Sequence, residues 1–187
     1  MPHVNSLEAD LGVLIVIDIQ EKMLAAIKTC TQDELIAAVS RLIGAAQILD
    51  LPIIYTEQYP QGLGPTDRRF SAMLGRAEGP IVKTTCSCWR DEAFRAALQR
   101  TGREQVILVG LEAHVCIQQT ALDLLRVDYQ PFIAADATGS RRQRDLDAAL
   151  ARMRHAGVEV STTESLIFEL AERCDHPRFK DLLKVIK

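Results

Sequence analysis

V-I-L-V-G-L-E-A-H-V-C-I-Q-Q-T-A-L-D, residues 106–123, sets a short apolar strand (106–109) before a turn at Gly110–Ala113, then a helix beginning near His114 or Val115 with Cys116 in its first turn. The placement has a chemical consequence. Unpaired N–H groups and the positive dipole end of a helix favour a thiolate, so a cysteine there is predicted to be more acidic than a free one.

Outward from this stretch the same alternation repeats. Residues 11–17 form an unbroken apolar run ending at Asp18, the pattern of a strand buried on both faces as in parallel sheets. Thr31-Gln32-Asp33-Glu34 fits a capping box and opens a helix that keeps helical apolar spacing from Leu35 to Leu49, where Pro52 follows. A strand is predicted at 53–56, a loop at 57–65 with two glycines and two prolines, and a short helical piece near 67–75. Further strands are predicted at 80–83, 131–135 (ending in Asp136) and 158–161, with helices at 91–100, about 144–155, about 164–174 capped by Thr163, and in the tail from Pro177. Strand and helix alternate about six times, which predicts one domain over 1–187: a three-layer α/β/α fold around a roughly six-stranded parallel sheet with right-handed crossovers. In that architecture ligands bind along the rim formed by the carboxyl ends of the strands.

Composition narrows the function. The 187 residues are 48% hydrophobic and 25% charged with a net charge of -3, which gives no electrostatic footprint for nucleic acid. No apolar run approaches the roughly 20 residues of a membrane span, and the amino terminus lacks a secretory pattern. Cys30, Cys86, Cys88, Cys116 and Cys174 are odd in number and irregularly spaced, so reduced thiols and a cytoplasmic location are expected. His3, His114, His155 and His176 lack ligand spacing, so no metal and no cofactor is expected. No G-x-G-x-x-G follows a strand and no G-x-x-x-x-G-K-[ST] exists, which disfavours nucleotide binding.

On the predicted rim, Asp18 ends the first strand, Lys83 ends the third, and Cys116 lies just beyond the fourth. A nearby cation raises the thiolate fraction of a cysteine, and a carboxylate within reach takes and returns the proton. Taken singly, an Asp at a strand end is often a cap, a Lys a solvated charge and a Cys a small core residue. Their conjunction on one rim is what points to catalysis. His114, two residues from Cys116, should point away from it on a helix. Cys86-Ser87-Cys88, one C-x-C without a second pair, is read as packed or semi-exposed thiols.

The segments L-I-V-I-D-I-Q (14–20), I-V-K-T-T-C-S-C-W (81–89) and V-G-L-E-A-H-V-C-I-Q-Q-T-A-L-D (109–123) resemble the three signature segments of the isochorismatase-like, or cysteine hydrolase, superfamily. The third, with T-E-Q-Y-P-Q-G-L-G-P-T (56–66), is similar to the small isochorismatase-domain hydrolases. The resemblance implies an Asp18-Lys83-Cys116 triad, a cis peptide at Leu111–Glu112, and an oxyanion hole from the Glu112 and Cys116 backbone N–H groups. It also implies a homo-oligomer, a dimer or tetramer. Where many relatives carry Thr three residues before the nucleophile, this chain has Ala113. By resemblance and position, Gln20, Glu57, Tyr59 and Trp89 are candidates for the substrate pocket. The expected activity is hydrolysis of a small-molecule amide C–N bond through a thioester. Vinyl-ether hydrolysis of the isochorismatase type, which needs no thiol, and a non-catalytic binding role are the alternatives.

Overall fold

Strands β1 (Gly12–Ile17) and β4 (Gln105–Leu111) are buried at every residue, and they pair with each other at the centre of the sheet. The computed structural model describes residues 6–187; residues 1–5, and with them His3, lie outside the described residues. Around the central pair stand β2 (Ile53–Gln58), β3 (Ile81–Lys83), β5 (Gln130–Gly139) and β6 (Glu159–Ser161), giving an all-parallel, six-stranded sheet in the order β3-β2-β1-β4-β5-β6.

The helices are α1 (Glu21–Ala26), α2 (Gln32–Ile48), α3 (Pro60–Leu63), α4 (Arg68–Ser71), α5 (Glu92–Thr101), α6 (Gln118–Leu125), α7 (Gln143–Ala156), α8 (Thr163–Ala171) and α9 (Phe179–Ile186). Alternate residues of a strand face opposite sides of a sheet, and the central strands build two apolar layers in that way. Leu14, Val16, Ile107 and Val109 pack with α2, α8 and α9, whereas Val13, Ile15, Val106 and Leu108 pack with α5, α6 and α7. Apolar residues on both faces are why these strands read as unbroken runs rather than alternating ones.

Helix ends follow the expected chemistry in several places. The Thr31 hydroxyl accepts from the Glu34 backbone N–H while the Glu34 carboxylate accepts from the Thr31 N–H, a complete capping box. Gly102 and Gly157 close α5 and α7 in the left-handed region. Two boundaries move. Thr162, not Thr163, caps α8, because the Thr163 hydroxyl and N–H both donate to the Asp136 carboxylate. Asp136 lies inside β5, which runs on to Gly139. Helices α1 and α3, too short for a periodic signal, were not legible as elements.

Gly110 is not a turn residue. It lies within β4 at φ +112, opposite Ile17 and Thr138, and a Cβ there would sit 2.1 Å from the Ile17 carbonyl oxygen. Only glycine permits so close a passage of β4 along β1 in that conformation. Gly110→Ala is expected to destabilise the fold by about 3 kcal/mol, from left-handed strain plus overpacking. Urea denaturation checks this, and a change below about 1 kcal/mol would contradict the close approach.

Candidate functional site

The strand order decides how Asp18, Lys83 and Cys116 meet. β1 and β4 are neighbours, so Asp18 and the segment after β4 share a crevice, but β3 is separated from β1 by β2. Lys83 bridges that gap with its full side chain, passing over the carboxyl end of β2. Its Nζ donates to Asp18 Oδ2 at 2.7 Å and stands 3.6 Å from Cys116 Sγ. The Lys83 and Asp18 side chains are both 0% exposed, and Cys116 is 4% exposed. Asp18 holds φ 51 just past β1, and its other carboxylate oxygen accepts from Thr56 Oγ1 at 2.6 Å.

Cys116 does not belong to the first turn of a regular helix. Residues Ala113–Ile117 form one wide π turn, in which Val115 N and Ile117 N both donate to Glu112 O, and α6 follows it. An apolar pattern does not register a five-residue step over a single turn. The Cys116 carbonyl accepts from Thr120 Oγ1 at 2.6 Å, and the same hydroxyl accepts the Cys88 N–H at 2.9 Å, so Thr120 ties the turn to the segment beyond β3. The Leu111–Glu112 peptide preceding the turn is cis. The Glu112 side chain is paired with the exposed Arg141 at 2.7 Å.

The electrostatics differ from the expectation of an acidified thiol. Burial first, and then the adjacent Asp18 carboxylate, push the Cys116 thiol above its ordinary value, and the opposing pull of Lys83 does not offset them. The physical reason is that Asp18 and Lys83 form a neutral pair, leaving desolvation to dominate. For Lys83, burial opposes the charge, but the neighbouring Cys88 thiol, on ionising, and the Asp18 carboxylate hold the ammonium above the usual lysine value. Cys88, fully buried, is pushed up to about 12 by burial. Alkylation of Cys116 is therefore expected to keep accelerating as pH rises through 9.0, the ordinary thiol value. A rate already level at neutral pH would contradict this.

The same directions carry a stability consequence. Lys83, Cys88 and Cys116 all hold their protons more tightly folded than unfolded. Each contribution is complete below the unfolded value and is lost as pH climbs through the folded one. Thermal stability is thus expected to fall from about pH 9 upward, where unfolded thiols begin to ionise. Melting temperatures of the wild type and Cys88→Ala across that range check the point, the variant being expected to show the shallower decline; parallel declines would contradict it.

The remaining sequence candidates are placed differently from one another. The Gln20 side chain, fully buried, bonds to the backbone of Gln58 and Gly64 instead of opening onto the crevice. The Glu57 carboxylate accepts from Thr66 N at 2.6 Å and Thr66 Oγ1 at 2.7 Å, which pins the loop after β2. The Trp89 ring lies 5.6 Å from that of Tyr129, just before the amino end of β5. Tyr59 is on the rim and 54% exposed, its ring lying over Gly62. His114 Nδ1 is within 3.0 Å of Ser140 Oγ. Missed in the sequence were Thr56 and Gln58, which hold Asp18 and Lys83. The available signal was strand alternation: in T-E-Q at the end of β2, residues 56 and 58 share the face opposite to 57.

A groove of about 920 Å³ lies between the end of α2, the start of β2 and α5, lined by residues including Pro52, Ile54, Gly79 and Arg100. It is at the opposite end of the strands from Asp18, Lys83 and Cys116. Among the described residues no group of three or more His, Cys, Asp or Glu side chains is arranged to hold a metal, and no helix is long and apolar enough to cross a membrane.

The six-stranded parallel sheet, with a buried Asp-Lys pair beside a cysteine on its rim, is an α/β fold of the isochorismatase-like kind. The isochorismatase domain model matches residues 12–165, and the chain belongs to that family. Isochorismatase domain-containing protein 2A of Mus musculus is 41% identical over 181 residues, covering 94% of this chain and 82% of the mouse protein. Among solved structures, the MAR1 ribonuclease of Caenorhabditis elegans superposes with a TM-score of 0.88 at 38% identity, covering 97% of this chain and 92% of that one. YcaC from Pseudomonas aeruginosa, solved with hexane-2,5-diol and covalent acrylamide, superposes with a TM-score of 0.90 at 27% identity over 97% of this chain and 92% of the other.

Proposed function

We propose that the protein is a cysteine-dependent hydrolase of a small-molecule amide C–N bond, with Asp18, Lys83 and Cys116 as its triad. The observation that carries this reading is the convergence of Lys83 Nζ, Asp18 and Cys116 Sγ in one buried corner of the rim. The raised thiol requires base assistance. As Cys116 Sγ bonds to the substrate carbonyl carbon, Asp18 takes the thiol proton, and the Glu112 and Cys116 N–H groups receive the oxyanion. Collapse of the tetrahedral intermediate breaks the C–N bond, with Asp18 returning that proton to the leaving nitrogen. Water then adds to the thioester with Asp18 as base, releasing the acid and restoring the thiol. Lys83, positively charged throughout, orients Asp18 and stabilises negative charge on sulfur.

Acrylamide is an electrophile that thiols attack, so its covalent capture by the Pseudomonas YcaC supports a reactive cysteine on this fold. Tyr59 is retained as a wall of the substrate pocket. A homo-oligomer of two or four chains, in the cytoplasm, completes the reading, and size-exclusion chromatography with light scattering tests the assembly; a monomer at working concentration would contradict it.

The test of activity is a hydrolysis screen over small amides, including nicotinamide, carbamoyl compounds and ureido acids, with Cys116→Ala as control. Ammonia or amine release that vanishes in the variant is expected. Isochorismate and a single-stranded RNA belong in the same screen, the latter because the worm structure bears a ribonuclease name. Turnover of either without need of Cys116, and of no amide, would overturn the proposal.

A further inference from the structure

An ammonium group has three N–H donors. Two of those on Lys83 are committed, to Asp18 Oδ2 at 2.7 Å and to Gln58 Oε1 at 2.6 Å. The third lies between the Thr85 carbonyl at 3.3 Å and Cys116 Sγ at 3.6 Å. Fixing two donors sets the direction of the remaining one. Because the Lys83 side chain is 0% exposed, solvent does not replace a lost acceptor.

Gln58 is itself held at both ends. Its Nε2 donates to Thr84 O at 3.0 Å, which turns the amide oxygen toward the ammonium; the flipped amide would set donor against donor. Its backbone is clamped by the buried Gln20, whose Oε1 accepts from Gln58 N at 2.8 Å and whose Nε2 donates to Gln58 O at 3.1 Å.

We propose that Gln58 is a positioning residue of this site, its amide oxygen holding Lys83 so that the remaining N–H serves the Cys116 sulfur as negative charge develops there, with Gln20 as the clamp that sets Gln58. In the resting thiol state that N–H is shared with the Thr85 carbonyl; when the proton leaves sulfur it turns to the thiolate. A neutral acceptor at position 58 matters. A carboxylate there would place two negative groups against one ammonium, and the excess charge would oppose the thiolate.

The inference rests on Cys116 being the nucleophile but not on which bond is cleaved. Acrylamide addition to Cys116, followed by peptide mass spectrometry at a fixed pH of about 8, below the range in which stability falls, reads it without any substrate turnover. Gln58→Met keeps the bulk and removes the amide oxygen. It is expected to slow adduct formation about tenfold, and to lower kcat about 10²-fold on an amide cleaved by the wild type, with KM changed less than about threefold. Gln58→Glu keeps an acceptor for Lys83 but loses the donor to the Thr84 carbonyl, so it should melt a little below the wild type; it too should slow adduct formation because of its charge. Wild-type adduct rate and kcat in a folded Gln58→Met would overturn the inference, as would an unchanged adduct rate in Gln58→Glu should the methionine variant fail to fold. Failure of either kind leaves the amide reading standing. Conversely, a screen without Cys116-dependent hydrolysis leaves the adduct measurement intact.

Discussion

Serine in place of Cys116 is expected to lower turnover of a cleaved amide by at least about 10⁴-fold while the protein stays folded. The substitution removes little bulk from the layer and keeps a polar hydrogen facing Asp18, so it isolates the nucleophile. The thiol at this position is raised, not acidified, and the reaction is still expected to depend on it for two reasons. A thiol remains far more acidic than an alcohol, so the proton handed to Asp18 is easier to remove. The anion formed is large and polarisable and lies 3.6 Å from the Lys83 ammonium, whereas an alkoxide in the same buried corner is harder to form. Steady-state kinetics on the best amide from the screen checks this. A serine variant within about tenfold of the wild type would mean that Cys116 is not the attacking group.

Lys83→Met is expected to destabilise the fold by about 3–5 kcal/mol and to abolish turnover as well. The reason is the site's burial: both members of the pair are 0% exposed, so removing the ammonium leaves a carboxylate with Thr56 Oγ1 as its remaining hydrogen-bond donor on the β2 side. Breaking one half of a buried ion pair is costly because the other half stays desolvated, whereas removing both halves is often nearly neutral. The double variant Lys83→Met/Asp18→Asn is therefore expected to recover most of the lost stability but none of the activity. Urea denaturation of the single and double variants measures the coupling. A lysine variant as stable as the wild type would show that the pair is not closed to water.

The parallel sheet was legible because its central strands are buried on both faces, and the runs at β1 and β4 carry no polar interruption until the rim. Asp18, Lys83 and Cys116 were legible as strand-end residues of complementary chemistry. The strand order was not, since local patterns carry no information on which strands pair, and the order makes Lys83 reach across β2. Gly110 was misread as a turn because sequence shows a glycine but not the Ile17 backbone that passes beside it. Of the four pocket candidates, Gln20 and Glu57 turned out to hold the loop after β2, and Trp89 packs beside Tyr129. Polarity near a rim identifies neither the face nor the partner of a side chain. Counting alternate residues along T-E-Q would have drawn attention to Thr56 and Gln58 instead.

The central claim is covalent catalysis by Cys116, and the most direct measurement is intact-protein mass spectrometry after rapid acid quench with an amide substrate in excess. The account predicts an added mass equal to the acyl portion of the substrate, located on the peptide bearing Cys116 and discharged by hydroxylamine. Turnover that proceeds normally while no acyl group accumulates on Cys116, in the wild type or under conditions that slow deacylation, would contradict it.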